Sequence, residues 1–476
     1  MKENKLIFLL KILTPVQQKA LKNYLNLHYA KYQAIQQLLQ YLLQQAQQTQ
    51  LSAEKVSDEK LFQVVWGKAT FDKGKISRLR YTTYQLVEDF LIRHIFEEDK
   101  YQQLWYILNF YSNYQIDESY EKILDDLQSY QEKIEQKDAN YYYHQFIVAE
   151  SHARYLTQTQ QRDTKLTFQN VDVFLNVFFL SKKLEIACAM HTRNAMLNTN
   201  FQPELLAESL TYIEEHPEIQ QYPSIAVYYH LYKMLRHADE IHYFSACKNA
   251  IHTHHKAFSL QEIKNLQGAL RNYCILKINT GEKQFEQQLF ELYQQQMKEG
   301  WLLDEQQQLP APIYKNVTVL ALRLQQHEWA QAFILDYQDF LPETHKRDAF
   351  HFCQAKVYFH KQNYPEILKL LNACTFEDVF FDIDARKLLL QMYYEQQEWE
   401  LLDSSLNSFR VFLHRNKTIS ESHKNANRNF ANFLKKIAYA DLSKKGEKAE
   451  LTKDILHASP LAEKAWLLEK LIEVAM

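Results

Sequence analysis

The sequence predicts an all-α protein, and three observations carry that prediction. The chain of 476 residues contains only six glycines and nine prolines, so it is poor in the residues that favour tight turns, and we expect few left-handed backbone positions. Apolar residues recur at helical spacing in long runs that are also rich in Gln, Lys and Glu. No strand-like alternation is long enough to predict a sheet. The expected architecture is a right-handed α-solenoid of helical hairpins with an N-terminal helical bundle.

We expect residues 1–100 to form the N-terminal helical bundle. Thr14-Pro15-Val16-Gln17 is typical of a helix start, because Thr14 and Gln17 can form a capping box around Pro15 in the first turn. Ser57 and Asp72 are predicted to precede two further helices. The second of these, over 76–96, carries apolar residues spaced for one buried stripe.

For residues 101–312 the sequence predicts irregular helical hairpins. Helical periodicity is clear over Val171–Met190 and Ile225–Leu235, for example. Pro203 lies near a predicted helix start, whereas Pro217 and Pro223 mark a connection.

Residues 313–440 contain the clearest internal periodicity. Trp329, Tyr364 and Trp399 recur at a spacing of 35 residues, each after a short polar stretch. A helix, a tight polar turn before an aromatic residue and a second helix, repeated about every 34 residues, is the tetratricopeptide pattern.

The segment 357–368 resembles the middle of a tetratricopeptide repeat, with Gln362 at the usual turn glycine and Ile367 at the usual small alanine. The resemblance implies a peptide-binding groove lined by the first helices of the repeats. It implies that Lys356 and Lys387 clamp carboxylates while Tyr394 supplies an apolar wall. Carried over position by position, the implied groove residues are Tyr314, Lys356, His360, Asp384, Lys387, Gln391 and Tyr394.

The segments 387–395, 409–417 and 179–185 also resemble uncharacterised bacterial all-helical proteins, a resemblance that implies no activity. Residues 441–476 are expected to form C-terminal capping helices. Ser459-Pro460 is predicted to start the last helix, which would close the end of the stack. The apolar residues expected to do so are Leu461, Trp466, Leu467 and Leu471.

Motifs for catalysis and cofactor binding are missing from the sequence. No two glycines are closer than Gly67 and Gly74, which excludes phosphate-cradling loops. No hydrolase elbow or zinc-protease motif occurs, so we expect neither enzymatic activity nor a cofactor. One group of residues could be considered as a zinc site, because imidazole and thiolate are zinc ligands. We favour an ordinary surface cluster over a metal site for this group. Its members are His237, His242, Cys247, His252, His254 and His255.

Cysteine usage and charge bear on location and partners. The five cysteines are widely spaced and never form a Cys-x-x-Cys pair, which favours a reducing cytoplasm. Lys11 interrupts the first apolar run, so we predict neither secretion nor a membrane span. The net charge of −3 predicts no general attraction to nucleic acid or an anionic membrane.

One basic segment, residues 404–436, departs from that balance. It holds seven cations against Glu421 alone, a net charge of +6, interleaved with phenylalanines. A solvated helix face is the favoured interpretation, and a patch for an anionic partner is the alternative. The candidate patch residues are Arg410, Arg415, Lys417, Lys424 and Arg428.

The sequence thus predicts a non-enzymatic scaffold that binds a protein or peptide in the groove of its helical repeats. The alternative is a regulatory or nucleic-acid-associated protein that binds through residues 404–436.

Overall fold

The computed structural model describes residues 5–29, 31–46, 53–160, 165–197, 199–373, 376–440 and 445–473, and these contain α-helices and no β-strand. The helices are α1 (Lys5–Ile12), α2 (Pro15–His28), α3 (Gln33–Ala46), α4 (Asp58–Trp66), α5 (Lys73–Glu98), α6 (Lys100–Tyr114), α7 (Asp117–Glu132), α8 (Ala139–Gln158), α9 (Lys165–Leu197), α10 (Leu206–Glu215), α11 (Pro223–Arg236), α12 (Ile241–His254), α13 (Leu260–Asn279), α14 (Gln284–Lys298), α15 (Ala311–Arg323), α16 (His327–Tyr337), α17 (Glu343–His360), α18 (Tyr364–Ala373), α19 (Val379–Glu395), α20 (Trp399–Arg415), α21 (Glu421–Tyr439), α22 (Lys445–His457) and α23 (Lys464–Glu473). The all-α prediction is confirmed.

Local side-chain chemistry starts several helices where the sequence predicts. The Thr14 side chain accepts a hydrogen bond from the Gln17 backbone N–H, and the Gln17 side-chain oxygen accepts one from the Thr14 backbone N–H, which completes the capping box of α2. Ser57 caps α4 and Asp72 caps α5, each by accepting from a backbone N–H three residues on.

Glutamine, not glycine, terminates many of the helices. Eight non-glycine residues have positive φ, six of them glutamines, among the residues described. After α17, for example, the Gln362 N–H donates to the Phe359 carbonyl and the next N–H, that of Asn363, donates to the Tyr358 carbonyl. This is the hydrogen-bond pattern of the Schellman cap. Left-handed positions are few among the described residues, as expected, but most are occupied by glutamine, because helix-end hydrogen bonds hold it in a conformation that usually favours glycine.

The same cap recurs after α15, α17 and α19, at Gln325, Gln362 and Gln397, whose φ angles are 59°, 55° and 57°. Each cap leads directly into the next helix, α16, α18 or α20. Helices α15, α17 and α19 each pack against the helix that follows them, and α17 also packs against both α15 and α19. The regular spacing of the aromatic residues thus coincides with consecutive helical hairpins.

The chain divides into two compact units, residues 1–182 and 183–476, with the boundary inside α9. In the first unit, α1 to α5 share a cluster of leucine, isoleucine, valine and phenylalanine side chains. In the second, α19 to α23 share another, which includes Leu467 and Leu471 of the last helix. That helix begins at Lys464, so the predicted start at Ser459-Pro460 is wrong; these two residues lie in the connection from α22.

Candidate binding cleft

The second unit contains a cavity of about 290 Å³ lined by α13, α14, α15, α17 and α19, together with Glu463. A neighbouring cavity of about 540 Å³ lies against α15, α19 and α21. Both cavities are lined by Lys315, Asp384 and Lys387. We call the two cavities together the cleft, and the three shared residues form the charged row between them.

Helical spacing places the charged row. Asp384, Lys387 and Gln391 lie three and four residues apart along α19, so they share one of its faces. The start of α19 is held by Asp348 of α17, a buried carboxylate that accepts from the backbone N–H groups of Glu377 at 2.7 Å and Asp378 at 3.0 Å.

Short ion pairs connect the charged row. The Lys315 Nζ lies 2.6 Å from Asp384 Oδ2, and the Lys387 Nζ lies 2.9 Å from Asp384 Oδ1. Lys387 also contacts Glu463, from the connection before α23, with 3.1 Å between Nζ and Oε1. Only 11% of the Lys387 side chain is exposed, so these are ion pairs largely withdrawn from water.

Lys356 has a different environment. Its Nζ donates to Gln391 Oε1 at 3.3 Å, and no described carboxylate lies within 4.0 Å of it. Arg323 pairs with Glu286 at 3.7 Å. The 290 Å³ cavity is lined by four cations, Lys315, Arg323, Lys356 and Lys387, but by only two carboxylates, Asp384 and Glu463. The cavity therefore has an excess of positive charge.

The pKa values follow from this geometry. Burial raises the carboxyl pKa values of Asp384 and Glu463, but the neighbouring cations together outweigh it, Lys387 and Lys315 for Asp384 and Lys387 and Lys356 for Glu463, so both pKa values lie below their usual values. Burial would lower the pKa of Lys387, yet its two carboxylate partners raise it. The pKa of Lys356 is lowered, since burial disfavours its charge and the Glu463 carboxylate compensates only in part.

Four of the seven predicted groove residues come together in this cleft: Lys356, Asp384, Lys387 and Gln391. Tyr314 is instead fully buried, and its hydroxyl donates to the Ile334 carbonyl at 2.8 Å. His360 lies at the exposed end of α17, 5.8 Å from the His327 ring. Its pKa is lowered to about 4 by partial burial and by the Lys356 charge.

Tyr394 packs against the last helix. Its ring meets Trp466 edge-on at 5.5 Å and Trp399 at 6.0 Å. The C-terminal helix therefore covers one side of the apolar wall that the resemblance implies.

Sequence reasoning missed Lys315, Arg323 and Glu463. Lys315 directly follows the predicted Tyr314. Because consecutive residues of an α-helix point about 100° apart around its axis, Lys315 faces the cleft while Tyr314 faces the core. Glu463 is 76 residues from Lys387 in sequence, so no local pattern connects the two.

The basic segment is partly neutralised by carboxylates. Lys424 and Arg428 both pair with Glu421, at 2.8 Å and 3.4 Å. Lys435 pairs with Asp403 at 3.1 Å and Lys436 contacts Asp454 at 3.9 Å, two carboxylates that lie outside the segment. The Arg410 guanidinium donates to Asn432 at 2.9 Å. Arg415 and Lys417 are exposed.

The histidine group does not converge on a point. His237 and His242 contact Glu240 at 3.3 Å and 3.9 Å, whereas the His255 ring nitrogen contacts the His252 carbonyl at 2.8 Å. No group of three His, Cys, Asp or Glu side chains suited to a metal occurs in the described ranges. The described cysteines, including Cys247, are buried free thiols, and Cys374 lies outside the described residues.

No protein-family model, curated protein or solved structure matches this chain. Among the helices described, none combines the length and apolar character needed to cross a bilayer. Function is therefore inferred from the residues and geometry of the cleft.

Proposed function

We propose that the protein is a non-enzymatic scaffold whose second unit binds an acidic segment of a partner protein in the cleft. In this proposal α15 to α21 form a right-handed, tetratricopeptide-like array that α22 and α23 cap, and α1 to α5 form a helical bundle. The recurrent Gln325, Gln362 and Gln397 caps and the hairpins they join support the first part. The hydrophobic cluster shared by α1 to α5 supports the second.

One observation carries the proposal: the 290 Å³ cavity has four cations and two carboxylates, and Lys356 contributes a partly buried cation with no carboxylate within 4.0 Å among the described residues. Withdrawing an ammonium from water is costly unless an anion compensates it. A carboxylate of a bound peptide would supply that anion and a charge-assisted hydrogen bond.

The test is fluorescence anisotropy with a labelled peptide of alternating Gly and Glu. The matched peptide of alternating Gly and Gln has the same length without the charge. We expect the acidic peptide alone to bind, and Lys356→Gln to weaken it about tenfold, since a hydrogen bond to a charged group is worth about 1.5–3 kcal/mol. Lys361→Gln removes the same charge from an exposed position just after α17 and is expected to bind as the wild type does.

Equal binding of the two peptides would contradict the proposal. So would equal losses for Lys356→Gln and Lys361→Gln, because these would reflect overall charge and not the cleft.

The alternative function, nucleic-acid binding through residues 404–436, is supported by the exposed Arg415 and Lys417. The pairing of other cations in that segment with Asp403, Glu421 and Asp454 weighs against it. Its test is an Arg415→Gln/Lys417→Gln variant titrated with a labelled single-stranded oligonucleotide. Binding that falls steeply with salt, and is lost in this variant, would favour nucleic acid over the acidic peptide.

A further inference from the structure

The C-terminal connection, residues 458–463 between α22 and α23, lines the cleft. Glu463 lines the 290 Å³ cavity and the adjacent Ala462 lines the 540 Å³ cavity. The Glu463 carboxylate contacts Lys387 at 3.1 Å, and Gln391 donates to it at 3.5 Å. A carboxylate of the chain itself thus occupies the position beside Lys387, next to Lys356, where a carboxylate of a ligand would reach both lysines.

The backbone of Glu463 is in the left-handed region, with φ of 51°. This conformation is disfavoured for a residue with a Cβ, and the position before a helix is usually extended. Here no Schellman cap accounts for it, in contrast to the glutamines that end α15, α17 and α19. The conformation is associated instead with a side chain directed into the cleft.

The connection is less buried than the helix it precedes, since its Leu461 and Ala462 are only partly buried where they pack against the hydrophobic cluster. The Ala462 N–H donates to the Ala426 carbonyl at 3.1 Å, and the Asn429 side chain donates to the Pro460 carbonyl at 2.9 Å. By contrast, Leu467 and Leu471 of α23 are buried in the hydrophobic cluster. Movement of the connection would therefore uncover only partly buried side chains, while Leu467 and Leu471 would keep α23 anchored.

A second observation concerns Asn427, which lines the 540 Å³ cavity and is 1% exposed. Its Nδ2 donates to the His423 carbonyl at 2.8 Å, but its buried Oδ1 accepts no hydrogen bond from the described residues. A buried acceptor without a donor is unfavourable. The backbone of an extended peptide would bring N–H donors, so the two cavities together fit a peptide with an acidic side chain.

We propose that residues 458–463 are an autoinhibitory strap in which Glu463 acts as a resident pseudo-ligand. An acidic segment of a partner displaces the strap, places its own carboxylate on Lys387 and Lys356, and donates a backbone N–H to Asn427. This inference rests on the proposed function, since it names the regulation of the same cleft.

The first experiment measures the affinity of the Gly-Glu peptide for Glu463→Gln, which keeps the side-chain size and removes the competing charge. We expect binding to tighten about tenfold, as for the loss of one charge-assisted contact. Glu473→Gln removes the same charge from α23, where Glu473 pairs with Lys470 at 2.6 Å outside the cleft. Its peptide affinity is expected to equal that of the wild type.

The outcomes separate the two proposals. If the wild type binds the acidic peptide with the expected dependence on Lys356 but Glu463→Gln binds no more tightly, the strap is overturned and the proposed function stands. If neither protein prefers the acidic peptide to the Gly-Gln peptide, both proposals fail.

A reversible lock provides a second readout. An Ala462→Cys/Ala426→Cys variant places thiols on two residues whose backbones already share a hydrogen bond. With the disulfide formed, we expect the peptide affinity to fall at least about tenfold, and reduction to restore it. Equal affinity of the oxidised and reduced forms would overturn the strap.

Discussion

The two units differ in which polar groups they bury. Between residues 5 and 182, the buried polar side chains of the described residues are uncharged, such as Gln18, Thr83 and Gln131. The five buried charged residues of the described chain all belong to the second unit: Lys277, Asp348, Lys387, Lys424 and Lys470. Both units pack apolar clusters, so helix packing in this chain does not require buried charge.

This difference bears on function because buried ion pairs are weak evidence for stability, since desolvation offsets their attraction. In the described part of the chain, the first unit packs without buried charged side chains, whereas the second unit contains them. This difference favours a role beyond stability for the buried charges of the second unit. Lys387, with its two carboxylate partners in the cleft, is the clearest instance.

The largest effect is expected from Lys387→Met, which leaves the partly buried Asp384 and Glu463 without their shared cation. We expect a loss of about 3–5 kcal/mol in the free energy of unfolding, as for other buried pairs that lose one partner. Urea denaturation followed by circular dichroism measures it. The comparison is Arg93→Met in the first unit, where Arg93 and Asp89 are 59% and 48% exposed. Equal shifts of the urea midpoint in the two variants would remove the distinction between the units.

The next effect is pH dependence. The folded-state pKa values of Asp384 and Glu463 lie below their ordinary values because the cations around them, Lys387 with Lys315 or Lys356, together outweigh the effect of burial. The unfolded chain therefore binds more protons, and the stabilisation is present above about pH 4.5 and is lost as the pH falls through the folded-state pKa values. Glu463→Gln should flatten the decline of the urea midpoint below about pH 4.5, whereas Glu473→Gln should keep the wild-type slope. Parallel curves for all three proteins would contradict this assignment.

A smaller effect is expected from Tyr314→Phe, which removes a buried hydrogen bond to the Ile334 carbonyl. The expected loss is about 1 kcal/mol in the free energy of unfolding. Tyr24→Phe in the first unit loses a longer, partly exposed bond of 3.3 Å to Asp89, so its urea midpoint should barely move. A larger loss for Tyr24→Phe would mean that the surface bonds of the first unit matter more than their exposure implies.

The smallest effect concerns a feature that the units share. Gln115 in the first unit and Gln362 in the second both end helices with positive φ, 52° and 55°. Gln115→Gly and Gln362→Gly should each stabilise the protein by about 0.5–1 kcal/mol, because glycine adopts this conformation without the Cβ penalty. Lys361→Gly, at φ of −85°, should instead destabilise it. Thermal unfolding of the three variants measures this, and stabilisation by Lys361→Gly would refute the explanation.

Much of the fold was predictable because its signals are local. Thr14, Ser57 and Asp72 cap their helices by contacts three residues away, and the aromatic spacing marks the hairpins of α15 to α20. One local prediction failed, since the last helix starts at Lys464 instead of Ser459. Left-handed positions are few among the described residues, as predicted, but glutamine and not glycine occupies most of them.

The cleft was predictable only in part. Lys356, Asp384, Lys387 and Gln391 were identified because a repeat pattern specifies a helix face. Tyr314 was assigned to the groove although its neighbour Lys315 faces the cleft, since the pattern does not locate a face to within one residue.

The sequence by itself determined the helices, their capping and their apolar stripes, because these depend on residues within one or two turns of each other. Only the tertiary structure decided which charges meet. Lys315 and Asp384 are 69 residues apart, and Lys387 and Glu463 are 76 apart. Helical periodicity predicts which face of its own helix a side chain lies on. The side chain that it meets on another helix depends on how helices that are distant in sequence pack together.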